Sequence, residues 1–149
     1  MSTQPIRAVV ASSLDTTQPR LLLAEDDDEI RLALAELFAQ EGFEVTSVAD
    51  GELLIERLDR GRRMQRMPDI IVTDHRMPGY SGTEILEGLE EAGVHIPVIV
   101  ITAYGGEVAT LAQELGACAV FQKPFELEDL RQSVLYWTDW SVRRLRLPD

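Results

Sequence analysis

The sequence predicts an α/β fold, a doubly wound (βα)5 arrangement in which five β-strands alternate with five helices. Three observations lead to this prediction. Short apolar runs of strand length recur between residues 20 and 122. Each run is followed by a segment whose apolar residues have helical spacing. The third and fourth runs, "DIIVT" and "PVIVIT", are apolar at successive positions, which is typical of parallel strands that helices cover on both faces.

The first half of the chain shows two strands and two helices. "RLLLA" at residues 20–24 is a short apolar strand, and an acidic turn follows it. "FEVTSV" at 43–48 alternates as a strand, and "DGELLIERLDRG" at 50–61 predicts a helix that Asp50 caps. Between them a helix that ends at Gly42 has one apolar face, made by Ile30, Ala33, Leu34, Leu37 and Phe38.

The second half continues the alternation of strands and helices. "SGTEILEGLEEAG" at 81–93 predicts a helix that Gly93 ends, and "GEVATLAQELGA" at 106–117 predicts the fourth helix. The fifth strand is "CAVFQ" at 118–122, in which Cys118 is expected to fill the core. The last helix is predicted at 126–137, with Leu127, Leu130, Val134 and Trp137 on one side.

The chain divides into three segments. Residues 1–19 are rich in Ser, Thr, Gln and Pro and predict a flexible leader. Residues 20–137 contain the regular pattern and are long enough for a single core. The tail, residues 138–149, carries Trp140 and three arginines; it could extend the last helix, dock on the body or contact a partner.

Composition excludes several classes of protein. Residues 20–137 hold 10 basic and 23 acidic side chains, so their charge of −13 repels phosphate backbones and argues against direct nucleic-acid binding. No apolar run reaches the length of about 18 residues that a membrane span needs. The N-terminus lacks the pattern of a secretory signal, and the single cysteine fits a reducing cytoplasm.

Polar side chains stand where the predicted strands end. Glu25 and Asp26 follow the first strand, Asp74 the third, Thr102 the fourth and Lys123 the fifth. In a parallel sheet these ends form one rim, where ligands bind. Clustered carboxylates favour a hard cation such as Mg²⁺, and a hydroxyl beside an ammonium favours an anion. The set therefore predicts a phosphoryl-transfer site in which Asp74 is the nucleophile.

Lys123 strengthens this interpretation because 13 of the 14 basic residues are arginine and Lys123 is the one lysine. A compact point charge suits a tight phosphoryl site better than a planar guanidinium does.

Four motifs, "LLLAEDD", "VTDHRMPGYSG", "VIVITA" and "QKPF", resemble in order and spacing the receiver domains of two-component response regulators. The resemblance covers about residues 20–137. It implies a flavodoxin-like, CheY-like fold with strand order 2-1-3-4-5.

The same resemblance implies a role for each matched residue. Asp74 corresponds to the phosphoacceptor and also to a ligand of Mg²⁺. Asp26 would contact the metal directly, Glu25 through water, and Arg76 through its backbone carbonyl.

Two further residues would bind the phosphoryl group. Thr102 would form a hydrogen bond with one of its oxygens and Lys123 would pair with another. Receivers commonly have a cis peptide at the step that corresponds here to Lys123–Pro124.

Partners also follow from the resemblance. The phosphoryl donor would be the phosphohistidine of a sensor histidine kinase or of a histidine phosphotransfer protein, and a target protein would bind the face formed by the fourth helix, fifth strand and fifth helix. Because about 12 residues after the last helix cannot fold alone, we expect a stand-alone receiver, either a phosphorelay intermediate or a regulator of a target. The alternative that the chain is a receiver cut from a longer regulator stays open.

The sequence departs from the family pattern on the fifth strand. Many receivers carry Tyr or Phe three residues before the lysine, but this chain has Val120, and Phe121 beside it should face the other side. We therefore expect the signal to leave through the loop after the fourth strand, where Gly105 and Gly106 lie. Arg76 and Tyr104 should flank the phosphoryl group and slow an attacking water.

Two other functions compete with this one. A phosphohydrolase of the haloacid-dehalogenase type also uses an aspartate nucleophile and Mg²⁺, but it needs a second aspartate two residues on, where this chain has Arg76. A phosphorylation-independent scaffold is disfavoured by the intact set of Asp26, Asp74, Thr102 and Lys123.

Overall fold

The computed structural model describes residues 18–146, except for the side chains of residues 140 and 142–146. Most of the predicted flexible leader, residues 1–17, lies outside the described residues, as do residues 147–149 of the tail.

Five strands and five helices alternate along the described chain. In order they are β1 (Arg20–Ala24), α1 (Asp28–Gln40), β2 (Glu44–Val48), α2 (Gly51–Met64), β3 (Ile70–Asp74), α3 (Gly82–Ala92), β4 (Val98–Thr102), α4 (Glu107–Glu114), β5 (Ala119–Gln122) and α5 (Leu127–Arg146). All neighbouring strands pair in parallel, and the order across the sheet is β2-β1-β3-β4-β5. The predicted fold class and strand order are confirmed.

The core consists of two apolar layers, one on each face of the sheet. Alternate residues of the same strands enter different layers, so Leu22 and Val100 pack against α2 and α3, whereas Leu21 and Ile99 pack against α1 and α5. Strands β3 and β4 are buried along their whole length. This double cover explains why their sequences are apolar at successive positions.

Asp50 and Gly93 mark helix ends as predicted, and Asp27 caps a further helix. The side chain of Asp27 accepts a hydrogen bond from the backbone N–H of Ile30 at 3.0 Å, and that of Asp50 accepts one from Leu53 at 2.8 Å. Gly93 adopts a left-handed conformation with φ of 69° at the end of α3. These contacts satisfy amide and carbonyl groups that helix ends leave without partners.

Helix α2 is longer than predicted, because Gly61 does not end it. Gly61 is buried inside the helix, and a Cβ there would lie 2.9 Å from the carbonyl oxygen of Arg66. The glycine is therefore needed for the close approach of the returning chain. The helix ends at Met64, where Gln65 takes the left-handed conformation with φ of 57°.

Helix α5 continues to Arg146, beyond the predicted end of the last helix at Trp137. Leu130 and Val134 are fully buried, and Trp137 is partly buried against the same layer. Leu127 lies on the apolar side predicted for this helix, but its side chain is 52% exposed. Helical spacing identifies the apolar face of a helix but not how far the core extends beneath it.

Within residues 18–146, no helix is both long and apolar enough to cross a membrane.

Candidate functional site

Asp74 is the last residue of β3, a central strand paired on both sides. Its side chain is almost fully buried, and the backbone turns away from the sheet immediately afterwards, where the N–H of His75 donates to the carbonyl oxygen of Ile101 at 2.7 Å. A Cβ on Gly82 would come within 3.3 Å of the Asp74 carbonyl oxygen. The strand and the start of α3 therefore fix the position of this carboxylate from two sides.

Two further carboxylates follow β1. Glu25 is 1% exposed, and its Oε2 accepts a hydrogen bond from the backbone N–H of Asp27 at 3.1 Å. The guanidinium of Arg31 donates to the Glu25 carbonyl oxygen at 2.9 Å. Asp26 is exposed, and Glu25, Asp26 and Asp74 each offer one carboxylate oxygen within 4.8 Å of the others. The structure thus brings together the three predicted acidic ligands.

Lys123 follows β5 and reaches back to this cluster. Its Nζ lies 3.1 Å from Asp74 Oδ2 and 3.5 Å from Glu25 Oε1. Its backbone N–H donates to the carbonyl oxygen of Thr102 at 2.7 Å, which fixes the end of β5 against β4. The peptide bond between Lys123 and Pro124 is cis, as the resemblance implies.

The electrostatics of the cluster are those of a crowded acidic site. Burial raises the pKa of Glu25 to about 7, and the negative charge of Asp74 also acts to raise it. Burial alone would lower the pKa of Lys123, but its hydrogen bond to Asp74 and the charges of both carboxylates outweigh burial and raise it. One ammonium thus partly offsets two buried acidic groups.

A buried oxygen in the cluster still needs a partner. Glu25 Oε1 has no hydrogen bond from any residue the structure describes, since the Lys123 ammonium at 3.5 Å makes only a long ion pair. Buried oxygens without partners are rare, and a hard cation with oxygen ligands would satisfy this one. The donor set therefore fits Mg²⁺.

Thr102 is the last residue of β4, and it is buried. In the β3–β4 register Asp74 lies opposite Ile101, which places Thr102 one residue further towards the rim. Its hydroxyl accepts a hydrogen bond from the backbone N–H of Tyr104 at 2.9 Å. The hydroxyl is therefore tied to the loop that leads into α4.

Arg76 and Tyr104, which the sequence placed on either side of the site, contact each other. The Arg76 guanidinium donates to the Tyr104 hydroxyl, and its Cζ lies 5.7 Å from the centre of the ring. Both side chains are exposed. This bridge joins the loop after β3 to the loop after β4, and no spacing in the sequence could have revealed it.

Strand β5 has no aromatic ring at the position three residues before Lys123. Val120 packs against the core layer that contains Val100, whereas Phe121 packs against the opposite layer. The prediction that these neighbours face opposite sides of the sheet is confirmed.

A comparison with protein-family models decides the family. Residues 21–135 match the model described as the response regulator receiver domain. The chain belongs to this family. The match includes every residue of the acidic cluster together with Thr102 and Lys123. Two-component signalling is therefore the setting of this protein, and the haloacid-dehalogenase alternative is disfavoured.

Curated relatives differ in the share of their own length that this chain matches. It is 33% identical over 116 residues to sporulation initiation phosphotransferase F of Bacillus subtilis, a match that covers 77% of this chain and 90% of that protein. It is 40% identical over 106 residues to the transcriptional regulatory protein FixJ of Azorhizobium caulinodans, covering 68% of this chain but 46% of that one. The receiver domain is thus nearly all of one relative and about half of the other.

Solved receiver domains have the same architecture. The receiver domain of the Francisella response regulator 1452 superposes with a TM-score of 0.74 at 26% identity, covering 83% of this chain and 98% of that one.

Proposed function

We propose that this receiver domain is a phosphorylation-dependent switch that accepts a phosphoryl group on Asp74. The observation that carries the proposal is the position of the Asp74 carboxylate at a strand end, 3.1 Å from the Lys123 ammonium and within 4.8 Å of two more carboxylates. A nucleophile held by a central strand keeps its position while its carboxylate attacks.

The donor in this proposal is a phosphohistidine of a sensor histidine kinase or of a histidine phosphotransfer protein. A carboxylate oxygen of Asp74 attacks phosphorus in line with the phosphorus–nitrogen bond. That bond breaks as the new phosphorus–oxygen bond forms, and the imidazole leaves with the electron pair and takes up a proton. The product is an aspartyl phosphate, and the chain acts only on its own phosphoryl group.

Mg²⁺ would be held directly by the carboxylates of Asp26 and Asp74 and by the backbone carbonyl of Arg76, and through a water molecule by the carboxylate of Glu25. When bound, it supplies positive charge close to the phosphoryl oxygens. Asp26, which is exposed, is the proposed direct ligand, and buried Glu25 acts through water. The buried, partnerless Oε1 of Glu25 supports this assignment of a metal-facing role.

Lys123 and Thr102 stabilise the phosphoryl group in the same proposal. The Lys123 ammonium already lies beside Asp74 and can pair with a phosphoryl oxygen without a long movement. The Thr102 hydroxyl now accepts a hydrogen bond from the Tyr104 amide. In the proposal it donates a hydrogen bond to a phosphoryl oxygen, either in place of that contact or in addition to it. A charged acceptor makes that bond worth about 1–3 kcal/mol.

Arg76 and Tyr104 set the lifetime of the phosphoryl group. Their bridge joins the two loops that begin just after Asp74 and Thr102, the route by which water would approach phosphorus. A bulky, hydrogen-bonded pair there hinders the attacking water and slows hydrolysis.

The signal leaves by protein contact through the face formed by α4, β5 and α5. Leu111 of α4 and Tyr136 of α5 are large apolar side chains that are 45% and 63% exposed. The charge of the body disfavours nucleic acid as the direct target. We place the switch in the cytoplasm, where phosphohistidine donors are made.

A role as a relay intermediate has specific support among the relatives. The match to sporulation initiation phosphotransferase F covers 90% of that protein, whose name describes the transfer of phosphoryl groups. The alternative is a single-domain regulator that binds its target directly. Both roles use the same Asp74 chemistry.

The test is incubation of the purified chain with acetyl phosphate and Mg²⁺, followed by intact mass measurement. We expect the mass of one phosphoryl group to be added, and EDTA to prevent it. Asp74→Asn should take up none. Asp27→Asn is the matched control, because Asn also caps helices and Asp27 lies outside the proposed ligand set, so this variant should be labelled like the wild type. Full labelling of Asp74→Asn would refute the assignment.

A further inference from the structure

A cavity of about 260 Å³ opens at the other end of the sheet from Asp74. Its walls come from the amino-terminal ends of β1 and β2, from the second half of α2 and from the chain that returns to β3. Because the strands are parallel, the carboxyl-terminal rim that holds the phosphoacceptor lies at the opposite end of the molecule. We call this space the arginine cavity, after its lining residues Arg20, Arg57, Arg60 and Arg66.

The arginine cavity is basic in a strongly acidic protein. Four arginines and one glutamate, Glu44, line it, which gives a formal charge of +3, whereas the chain as a whole carries −12. Arg66 pairs with Glu44 at 3.2 Å, so the one acidic group in the lining is already engaged. Within residues 18–146, no carboxylate pairs with the guanidinium groups of Arg20, Arg57 or Arg60.

Arg20 also has an unused donor. Its Nη1 donates to the carbonyl oxygen of Met67 at 3.0 Å, but its buried Nε has no hydrogen-bond partner among the residues described. A buried guanidinium donor without an acceptor is costly, and most such groups bond to protein, water or a ligand. Because Arg20 lines the cavity, an oxyanion that draws its side chain towards the opening would give this guanidinium an acceptor.

The remaining lining is mostly apolar. It includes Leu22, Met64 and Pro68 together with one hydroxyl residue, Thr46, and Gly61 keeps the helix close to the returning chain. Convergent guanidinium groups bind phosphate oxygens in pairs, and their flat faces stack on aromatic rings. Small-molecule sites combine such polar groups with apolar walls in cavities of about 300–1,000 Å³. At about 260 Å³ this cavity lies just below that range, which limits it to a small ligand.

We propose that the arginine cavity binds a small molecule that carries phosphoryl groups, of the size of a nucleoside diphosphate or smaller. The phosphoryl oxygens accept hydrogen bonds from Arg57, Arg60 and Arg20, and any ring or apolar portion lies against Met64 and Pro68. The ligand class is defined by the shared chemistry of a compact polyanion. Free pyrophosphate and a nucleotide are two sources of it, and the experiment separates them.

The test is calorimetric titration of the full chain with pyrophosphate, ADP and adenosine, in EDTA without a phosphodonor and at about 0.15 M salt. Amide shifts of Leu22, Thr46 and Gly61 report where the ligand binds. We expect saturable binding of pyrophosphate or ADP with a Kd below about 1 mM and none of adenosine. Tighter binding of ADP than of pyrophosphate would identify the ring as part of the ligand.

Arg57→Gln with Arg60→Gln should weaken this binding at least about tenfold. Arg62→Gln with Arg63→Gln is the matched control, because this pair removes the same two charges from the same helix but lies outside the lining. Thermal unfolding of each variant verifies its fold. Asp74→Asn should bind like the wild type, so this outcome does not depend on the proposed function.

Three results would overturn the proposal. The first is the absence of saturable binding by both pyrophosphate and ADP. The second is equal weakening by the control pair Arg62→Gln with Arg63→Gln and by the pair Arg57→Gln with Arg60→Gln, which would show diffuse charge attraction. The third is binding of polyglutamate while both phosphates fail, which would assign the arginines to an acidic protein.

Discussion

The Nζ atom of Lys123 lies 3.1 Å from Oδ2 of Asp74, although 49 residues separate them in the chain. The strand order produces this contact, because β3 and β5 both flank β4 and their carboxyl ends meet at one rim. The only lysine of the sequence is thereby held against the proposed phosphoacceptor before any phosphoryl group arrives. In the proposed mechanism, an ammonium in this position stabilises the carboxylate first and a transferred phosphoryl oxygen afterwards.

Replacing Lys123 by Arg should slow phosphorylation even though the charge is kept. A planar guanidinium cannot take the place of a point charge that contacts both Asp74 and Glu25. We expect the rate of mass gain with acetyl phosphate to fall at least about tenfold, equivalent to about 1.4 kcal/mol in the barrier. Arg62→Lys, an exchange between the same residue types on an exposed helix face, is the control. A wild-type rate in Lys123→Arg would show that charge alone suffices.

Mg²⁺ binding should depend more on Asp26 than on Glu25. Loss of a direct ligand costs more affinity than loss of a group that acts through water. Titration of Mg²⁺ followed by amide shifts should give a larger increase in Kd for Asp26→Asn than for Glu25→Gln, with Asp27→Asn close to the wild type. The reverse order would exchange the roles of the two acidic residues.

In EDTA, the free energy of unfolding should decrease as pH rises, because of Glu25. The pKa of this group is about 7 in the folded state against an ordinary value of 4.5, so the folded chain holds the proton more tightly than the unfolded chain does. The protonated Glu25 side chain therefore stabilises the folded chain fully below pH 4.5, and this stabilisation is lost as pH rises through about 7. We expect Glu25 to lower the free energy of unfolding by about 1–3 kcal/mol across this window.

The measurement is urea unfolding at several pH values. The Glu25→Gln variant should lack the decline, and Glu36→Gln, an exposed replacement on α1, should keep it. Parallel curves for the wild type and Glu25→Gln would contradict the prediction.

Phosphorylation should move the loop between β4 and α4 more than β5. Thr102 Oγ1 holds the Tyr104 amide at 2.9 Å, so a phosphoryl oxygen that engages Thr102 acts directly on this loop. The backbone at the start of α4 can rearrange at little cost, since Gly106 has φ of 58° and no side chain caps the helix. Val120 has few rotamers and no ring to displace.

Beryllofluoride with Mg²⁺ provides the measurement, as a mimic of the phosphoryl group. Amide shifts should concentrate in residues 102–112 and be weaker at Val120 and Phe121. Unchanged amide shifts in residues 102–112 together with large amide shifts on β5 and α5 would show that the signal takes another route.

The arrangement of the sheet and most of the acidic site could be predicted because both depend on local patterns. Successive apolar residues in β3 indicated a doubly covered strand, and parallel strands place Asp74, Thr102 and Lys123 at one rim by geometry alone. The resemblance then assigned roles that spacing could not, such as direct and water-mediated contacts for Asp26 and Glu25. Those roles stay predictions.

The rest depends on contacts between segments distant in sequence. The bridge from Arg76 to Tyr104 joins two loops whose course no periodicity describes. Gly61 looked like a helix end, yet the returning chain at Arg66 requires it inside α2. Leu127 has the correct helical spacing, but the core does not extend beneath it.

The most direct test of the proposed switch is to locate the phosphoryl group in the chain. After phosphorylation with acetyl phosphate and Mg²⁺, borohydride reduction converts an aspartyl phosphate to homoserine, and peptide mass spectrometry identifies the altered residue. We expect homoserine at position 74 alone, and none when EDTA replaces Mg²⁺. Homoserine at Asp26 or at another carboxylate, with Asp74 intact, would contradict the account.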